Sequence, residues 1–275
     1  MPPSVPSAIP SRPLRVAFAV IFAFLPLAAK AQDPKALVAS AVKVELEADR
    51  VDHSAYQYRD RDITPEHDTL YYLVETPQGI LKKKLEDHGH PLSPAERQAD
   101  EQRIQALLDD PAAQARARKD SSHDDNQAEQ LLRLLPVAYI WTIASESGNL
   151  VTLDFKPDPN FTASSYEARV LSAMGGQITV ARAENRIQSI KGTLLEDVTF
   201  GFGIFGRLHR GGSFEVQRRE IVPGHWQMTE SRVHISGHAL FFKTIGSQEE
   251  EFRSDFKPAS AKTLREANDI LKDIH

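Results

Sequence analysis

The chain contains no cysteine among its 275 residues. Disulfide bonds, thiol nucleophiles and cysteine-ligated zinc sites are therefore excluded, as is a lipid-modified cysteine that anchors a protein to a membrane. Stability must come from side-chain burial, for which a chain of this length with 41% hydrophobic residues is sufficient. The 33 basic residues are outnumbered by 38 acidic ones, so the basic excess typical of nucleic-acid-binding proteins is missing too.

Long apolar runs are also absent, apart from one near the N-terminus. Val16–Ala29 is uncharged, follows Arg12 and Arg15, and leads into Ala29-Lys30-Ala31. This is the order of a secretory signal peptide cleaved after Ala31, and the run is shorter than the roughly 20 residues that span a bilayer. We expect a signal peptide over residues 1–31, a periplasmic or secreted protein, and no membrane span after cleavage. An uncleaved anchor is the alternative.

Motifs that name a reaction are missing as well. Gly212-Ser213-Phe214 is not a G-x-S-x-G motif and opens a strand pattern. Gly201–Gly206 has G-x-G-x-x-G spacing, but no helix follows it to bind phosphate. His225, His234 and His238 match no zinc motif. The sequence therefore predicts no catalytic residue, no metal and no cofactor. A hydrolase without a recognisable motif is the less favoured alternative.

Apolar residues recur with a period of 3.6 in several stretches, which predicts amphipathic helices. In the first, Lys43, Glu45 and Glu47 are assigned to the solvent side. The predicted helices are one from Pro34, one over Pro94–Leu108 with a Ser93/Glu96 capping box, one over Ala128–Leu135 stopped by Pro136, one over Ser164–Met174 ended by Gly175-Gly176, and one capped by Ser260. Asp110–Asn126 is polar, and Asp120–Asp125 within it is expected to be an exposed connector, in a polar insertion around residues 87–136.

Alternation with a period of two predicts antiparallel strands elsewhere. The predicted strands are Ala55–Ile63, Thr69–Thr76, Ile80–Glu86, Val137–Ala144, Asn149–Lys156, Gln177–Arg182, Arg186–Leu195, four runs within Val198–Ile245, and Phe252–Phe256. The first run of that meander is taken as one strand from Val198 to Leu208, and its Gly201 and Gly203 predict a strong bend. Further on, Arg232 has the parity of Trp226 while Val233 has the other, which predicts either a bulge between Trp226 and Arg232 or a strand end that leaves the core.

The succession of these strand and turn patterns resembles the periplasmic lipoprotein carriers of the LolA/LolB type. The segments that carry the resemblance are Gly176–Ile187, Ile190–Leu194, Val198–Gly206, Gly212–Val216, Gly224-His225-Trp226 and Gly237–Lys243. The resemblance implies an incomplete β-barrel whose concave side is crossed by helices, with a hydrophobic cavity for acyl chains and no covalent chemistry. This sequence departs from the family in its long polar insertion and in offering no clear position for the family's cavity arginine.

The sequence thus predicts a single α+β domain over residues 32–275, with a strongly curved antiparallel sheet, a half-barrel, whose concave face is covered by helices. The implied partner is a lipid or a lipidated protein. The predicted cavity residues are Phe200, Phe202, Phe214, Trp226, Leu240 and Phe242. Arg232 is a candidate head-group contact, with an ordinary solvated arginine as the alternative. The other function considered is an envelope structural or interaction protein whose sheet is packed solidly.

Overall fold

The structure is a computed structural model, and it describes residues 33–200, 206–239 and 248–274. The helices in these ranges are α1 Pro34–Val51, α2 Pro94–Asp109, α3 Pro111–Ala138, α4 Tyr166–Leu171 and α5 Leu264–Lys272. The strands are β1 Tyr56–Ile63, β2 Asp68–Thr76, β3 Gly79–Asp87, β4 His90–Pro91, β5 Tyr139–Ser147, β6 Leu150–Pro157, β7 Met174–Ala181, β8 Arg186–Leu194, β9 Val198–Phe200, β10 Gly206–Leu208, β11 Ser213–Val222, β12 His225–His234, β13 Gly237–Ala239 and β14 Gln248–Pro258.

Eleven of these strands form one sheet in the order β4-β3-β2-β1-β14-β12-β11-β8-β7-β6-β5. All of its neighbouring strands are antiparallel, which confirms the α+β class with a large antiparallel sheet. The last strand, β14, lies between β1 and β12 and so joins the N-terminal strands to the rest. The sheet therefore depends on a pairing between residues about 200 positions apart in the chain.

One side of the sheet, here called the inner face, carries Leu153, Ile178, Ile190 and Val216, which lie opposite one another across β6, β7, β8 and β11. Helix α1 packs on this face, as its apolar pattern predicts. The cluster that forms there contains Leu37, Val38, Ala41 and Val42 of α1, Leu135 and Ala138 of α3, and buried side chains of β5–β8. This half of the inner face is solidly filled by protein.

Helices α2 and α5 pack on the opposite, outer face at the other end of the sheet. Val74 lies opposite Leu81 in the β2–β3 pair, and both are buried against Ile104 of α2 and Leu271 of α5. Lys83 extends from this face, and its Nζ donates hydrogen bonds to the carbonyl oxygens at the C-terminal end of α5. Helix α1 therefore covers the inner face at one end of the sheet, and α2 and α5 cover the outer face at the other end. The expectation that the covering helices lie on one face is wrong.

Helix α3 runs through the polar segment Asp110–Asn126 and corrects the prediction of a connector over Asp120–Asp125, although those residues are exposed as expected. The chain is helical without interruption from Pro111 to Ala138 and passes through Pro136. Asp110 caps its N-terminus by accepting hydrogen bonds from the backbone N–H groups of two alanines, and Pro111 occupies the first turn, where its missing N–H costs nothing. The segment is polar but rich in Ala, Arg, Gln and Lys, which favour helix over loop.

Three further predictions are wrong. Val198 and Leu208 do not share a strand, because β9 and β10 pair antiparallel with each other and, with β13, form a separate small sheet. Gly175-Gly176 lies inside β7 instead of ending a helix; a Cβ on Gly176 would lie 2.0 Å from the carbonyl oxygen of Lys191, so only glycine fits. The last helix is capped by Thr263, not by Ser260.

Other local predictions are confirmed. The Ser93/Glu96 capping box is present with both of its hydrogen bonds, and α2 begins at Pro94. The bulge expected between Trp226 and Arg232 appears as a register shift in the β11–β12 pair at Gln217. It places Trp226 and Val233 on the inner face and Arg232 on the outer one.

A buried ion cluster ties α1 to the sheet. Glu45 of α1, only 5% exposed, accepts hydrogen bonds from Nε and Nη2 of Arg186 at 3.0 and 2.8 Å and from the backbone N–H of Ile187 at 2.7 Å. Arg218 of β11 donates a further hydrogen bond to the same carboxylate. Burial alone raises the pKa of Glu45, but the two arginines outweigh it and hold the pKa below its ordinary value. Glu45 is thus a central contact, contrary to its predicted place on the solvent side.

We predict that Glu45→Ala lowers the free energy of unfolding by about 3–5 kcal/mol, because Arg186, itself only 7% exposed, is left buried without its partner. Glu47→Ala is the matched control, since Glu47 pairs with Arg50 on the exposed side of the same helix. Urea titration of the protein from residue 32 onward measures both. Equal unfolding midpoints for the two variants would show that the ion cluster does not hold α1 on the sheet.

Candidate functional site

A cleft of about 670 Å³ lies where the ends of β1, β2 and β3 meet helix α3. One wall is formed by the β2–β3 turn at Pro77–Ile80 and another by the link from α1 to β1 at His53–Ala55. Leu107 of α2 and Leu264 of α5 close the apolar end. Its volume lies within the range of about 300–1,000 Å³ that small-molecule sites occupy.

Helix α3 presents small and polar side chains to this cleft. Gln114, Ala117, Arg118, Ser121 and Ser122 recur with helical spacing and line its third wall. The helix approaches the β2–β3 turn at this point, where Nη1 of Arg118 donates a hydrogen bond to the carbonyl of Gln78 at 3.4 Å. Because these side chains are too short or too polar to fill the space, the helix bounds the cleft without closing it.

Glu75 is the acidic residue that lines the cleft. It lies on the inner face of β2, and its carboxylate accepts a hydrogen bond from the backbone N–H of Tyr56 at 2.9 Å. Burial raises the pKa of Glu75 above its ordinary value; the hydrogen bond from Tyr56 and the positive charge of Arg253 oppose this rise without cancelling it. A carboxyl group that is partly stripped of water in a cleft marks a candidate binding position.

From Glu75 a row of acidic side chains continues along the inner face, here called the acidic row: Glu75, Asp60, Asp62 and Glu251. Asp60 lies opposite Arg253, and Asp62 lies opposite Glu251, in the β1–β14 pair. Arg253 donates to Glu251 at 2.7 Å and stacks 5.4 Å from the ring of Tyr58. Arg253 thus forms its ion pair with Glu251, and a second basic group beside the row is His67, whose Nε2 lies 3.5 Å from Oδ2 of Asp62.

Asp60 is the most buried member of the acidic row, at 8% exposure. Burial, together with the neighbouring charge of Glu251, raises the pKa of Asp60 to about 7. Its Oδ1 and the Oδ1 of Asp62 are buried and accept no hydrogen bond from the described residues. Because two carboxylates side by side with one arginine cannot both ionise without cost, Asp60 holds its proton up to neutral pH.

The predicted cavity residues fall in different places. Phe200 is completely buried, stacked edge-on 5.3 Å from the ring of Tyr166, and Phe214 packs at the margin of the same cluster over Gly192. Trp226 lies elsewhere, beside Arg186 and the ion cluster of α1. Phe202, Leu240 and Phe242 lie outside the described residues. None of the three described aromatic residues lines the 670 Å³ cleft.

Arg232 lies on the outer face among acidic partners. It donates a hydrogen bond to Glu230, its Nε is 3.7 Å from Glu250, and its guanidinium stacks 5.1 Å from the ring of Phe252. His234 contacts Glu250 as well, at 3.1 Å. The charge of Arg232 is therefore already balanced by its neighbours.

The sequence of β1 itself carries a signal for part of the acidic row. In the β1 sequence YQYRDRDI, Tyr56, Tyr58, Asp60 and Asp62 alternate with the other residues and so share one face. Two acids on the same side as two aromatic rings indicate a buried polar position and not a solvated edge. The partner Glu251 belongs to β14, about 190 residues later, and no local pattern connects the two.

Within the described ranges no group of three or more His, Asp or Glu side chains is arranged to hold a metal ion. His225 instead shares a hydrogen bond of 2.8 Å with Asp52 at the end of α1. None of the helices in those ranges combines the length and apolar composition required of a transmembrane segment.

No protein-family model, curated protein sequence or solved structure matches this chain. Its function must therefore be argued from its own geometry. The cleft and the acidic row beside it are the features on which that argument depends.

We predict that the free energy of unfolding falls as the pH rises from about 4 to about 7, through the titration of Asp60. An unfolded aspartate has a pKa of about 3.9, and the folded value is about 7, so the folded state binds more protons across this window. Asp60→Asn removes that loss, which we expect to be on the order of 1–3 kcal/mol.

Urea titration at pH 5 and pH 8 measures how much the free energy of unfolding changes between the two pH values. A constant change in stability that results from the altered hydrogen bonding cancels in this difference. Asp124→Asn, at an exposed position of α3, is the control and keeps the wild-type pH dependence. Parallel pH profiles for wild type and Asp60→Asn would contradict the assignment.

Proposed function

We propose that this protein is a periplasmic or secreted binding protein that carries a lipid, or the acyl chain of a lipidated protein, without covalent chemistry. The observation that supports it best is the 670 Å³ cleft between α3 and the ends of β1–β3. In this proposal the inner face is the concave side of a half-barrel, as in the LolA/LolB-type carriers that the sequence resembles.

The distribution of filled and unfilled space favours a ligand at this end of the sheet. Over β5–β8 the inner face is packed against α1, and Leu153, Ile178 and Val180 have no exposed surface. At the cleft, Pro77, Ile80 and Leu107 leave apolar surface uncovered, and Leu264 lies buried behind them. Burying an acyl chain there contributes about 0.8 kcal/mol per methylene, so a short buried length is enough for measurable affinity.

One observation favours the alternative function, an envelope structural or interaction protein. The solid core under α1 is what a protein would have if it served only to present its surface to an envelope partner. The two functions differ at the cleft, because only a carrier requires that space to stay accessible.

Ligand uptake tests the proposal. We expect purified protein to take up a neutral fluorescent acyl-chain probe, and Ala117→Trp to weaken that binding about tenfold or more, because the indole occupies the cleft. Ala117 is exposed, so the substitution leaves the fold intact. Ala115→Trp is the matched control on the same helix, two residues away and outside the cleft wall.

Probe titration monitored by fluorescence, with native mass spectrometry of the protein as purified, provides both readouts. Absence of bound lipid together with absence of probe uptake by the wild type would exclude the carrier function and leave the structural alternative. Equal loss of binding in both tryptophan variants would place the ligand elsewhere than in this cleft.

A further inference from the structure

Glu75 is a partly buried carboxylate that no cation balances directly. Its carboxylate accepts hydrogen bonds from the backbone N–H of Tyr56 and from the hydroxyl of Tyr58, and among the described residues it takes part in no ion pair within 4.0 Å. Arg253, the basic residue whose charge acts on it, is already bound to Glu251 and stacked on Tyr58. A negative charge in this position is stabilised by a cationic group that a ligand supplies.

The other charged groups around the cleft do not supply that partner. Arg118 lines the opposite wall, but its guanidinium donates to the carbonyl of Gln78 and its side chain is exposed. His53 is exposed at the rim, and Asp52 behind it is acidic and hydrogen-bonded to His225. Beyond Glu75 the acidic row adds further negative charge. The cleft therefore has an apolar end at Leu107 and Leu264 and an acidic end at Glu75.

We propose that the cleft is selective for an amphiphile whose polar end carries a cationic nitrogen, and that Glu75 binds that nitrogen. The inference rests on the proposed carrier function and specifies the class of its ligand. The apolar tail lies toward Leu107 and Leu264, and the ammonium group meets the carboxylate of Glu75. A charge-assisted hydrogen bond in a site shielded from water is stronger than a neutral one, which gives a preference of about tenfold over an uncharged head group.

Three probes of equal chain length test this selectivity: dodecylamine, dodecanol and dodecanoate, each below its critical micelle concentration. Each competes at pH 7 and 150 mM salt against a neutral fluorescent probe already bound in the cleft. We expect the wild type to bind dodecylamine about tenfold more tightly than dodecanol, and dodecanoate least. This order of affinities follows from the sign of the head-group charge, because the three probes have the same apolar tail.

Glu75→Gln keeps the hydrogen-bond acceptor for Tyr56 and removes the charge. We expect it to lose the preference for dodecylamine over dodecanol. Glu66→Gln is the control, since it removes the same charge at the exposed turn between β1 and β2, at the opposite end of these strands. It keeps the wild-type preference.

Each remaining outcome overturns the inference. If the wild type binds all three probes equally, or prefers the carboxylate, Glu75 does not select the ligand and the carrier function stands alone. If Glu75→Gln and Glu66→Gln reduce amine binding to the same extent, the preference reflects net charge and not the site. If the wild type binds none of the probes, including the neutral fluorescent one, the carrier function fails as well.

Discussion

The fold depends on the carboxylate of Glu45 being held by Arg186 and Arg218. These two arginines come from β8 and β11, so one side chain of α1 fixes the helix to two strands at once. Isolated charges are costly to bury, and this one is tolerated because four hydrogen bonds, from Arg186, Arg218 and the backbone of Ile187, converge on it, with Trp226 stacked beside Arg186. The apolar face of α1 supplies most of the contact area, while the ion cluster sets the position of the helix along the sheet.

The position of α1 divides the inner face into two regions of different character. Under the helix the residues are aliphatic and fully buried, whereas beyond it, on β14, β1 and β2, acids and tyrosines take the same face. Helix α3 connects the two faces of the sheet, since it begins beside α2 and ends against α1. In doing so it passes the β2–β3 turn and creates the cleft there. The site is thus a consequence of how the two helix layers are joined.

Sequence patterns predict the elements that neighbouring residues stabilise. The capping box of α2, the apolar stripe of α1 and the hairpin between β7 and β8 were all predictable from neighbouring residues. The prediction failed where distant residues decide. Glu45 has the spacing of a solvent-facing residue and becomes buried only because Arg186 lies 141 positions later. Val198–Leu208 alternates like one strand, yet its two ends pair with each other and with β13 instead. The candidate site was missed for the same reason: Asp60, Glu75 and Glu251 come from three strands that only the sheet brings together.

The acidic row bears on the class of ligand in the proposed function. A cavity for acyl chains alone has no use for buried carboxyl groups, and Asp60 is held protonated at a cost to stability near neutral pH. Residues that oppose stability in this way cluster at functional positions, since packing alone would favour apolar side chains there. The apolar wall at Leu107 and Leu264 and the carboxylate of Glu75 lie in one cleft. That combination suits a molecule with an apolar body and a hydrogen-bond-donating end, and a purely hydrocarbon ligand would leave Glu75 further desolvated and without a cationic partner.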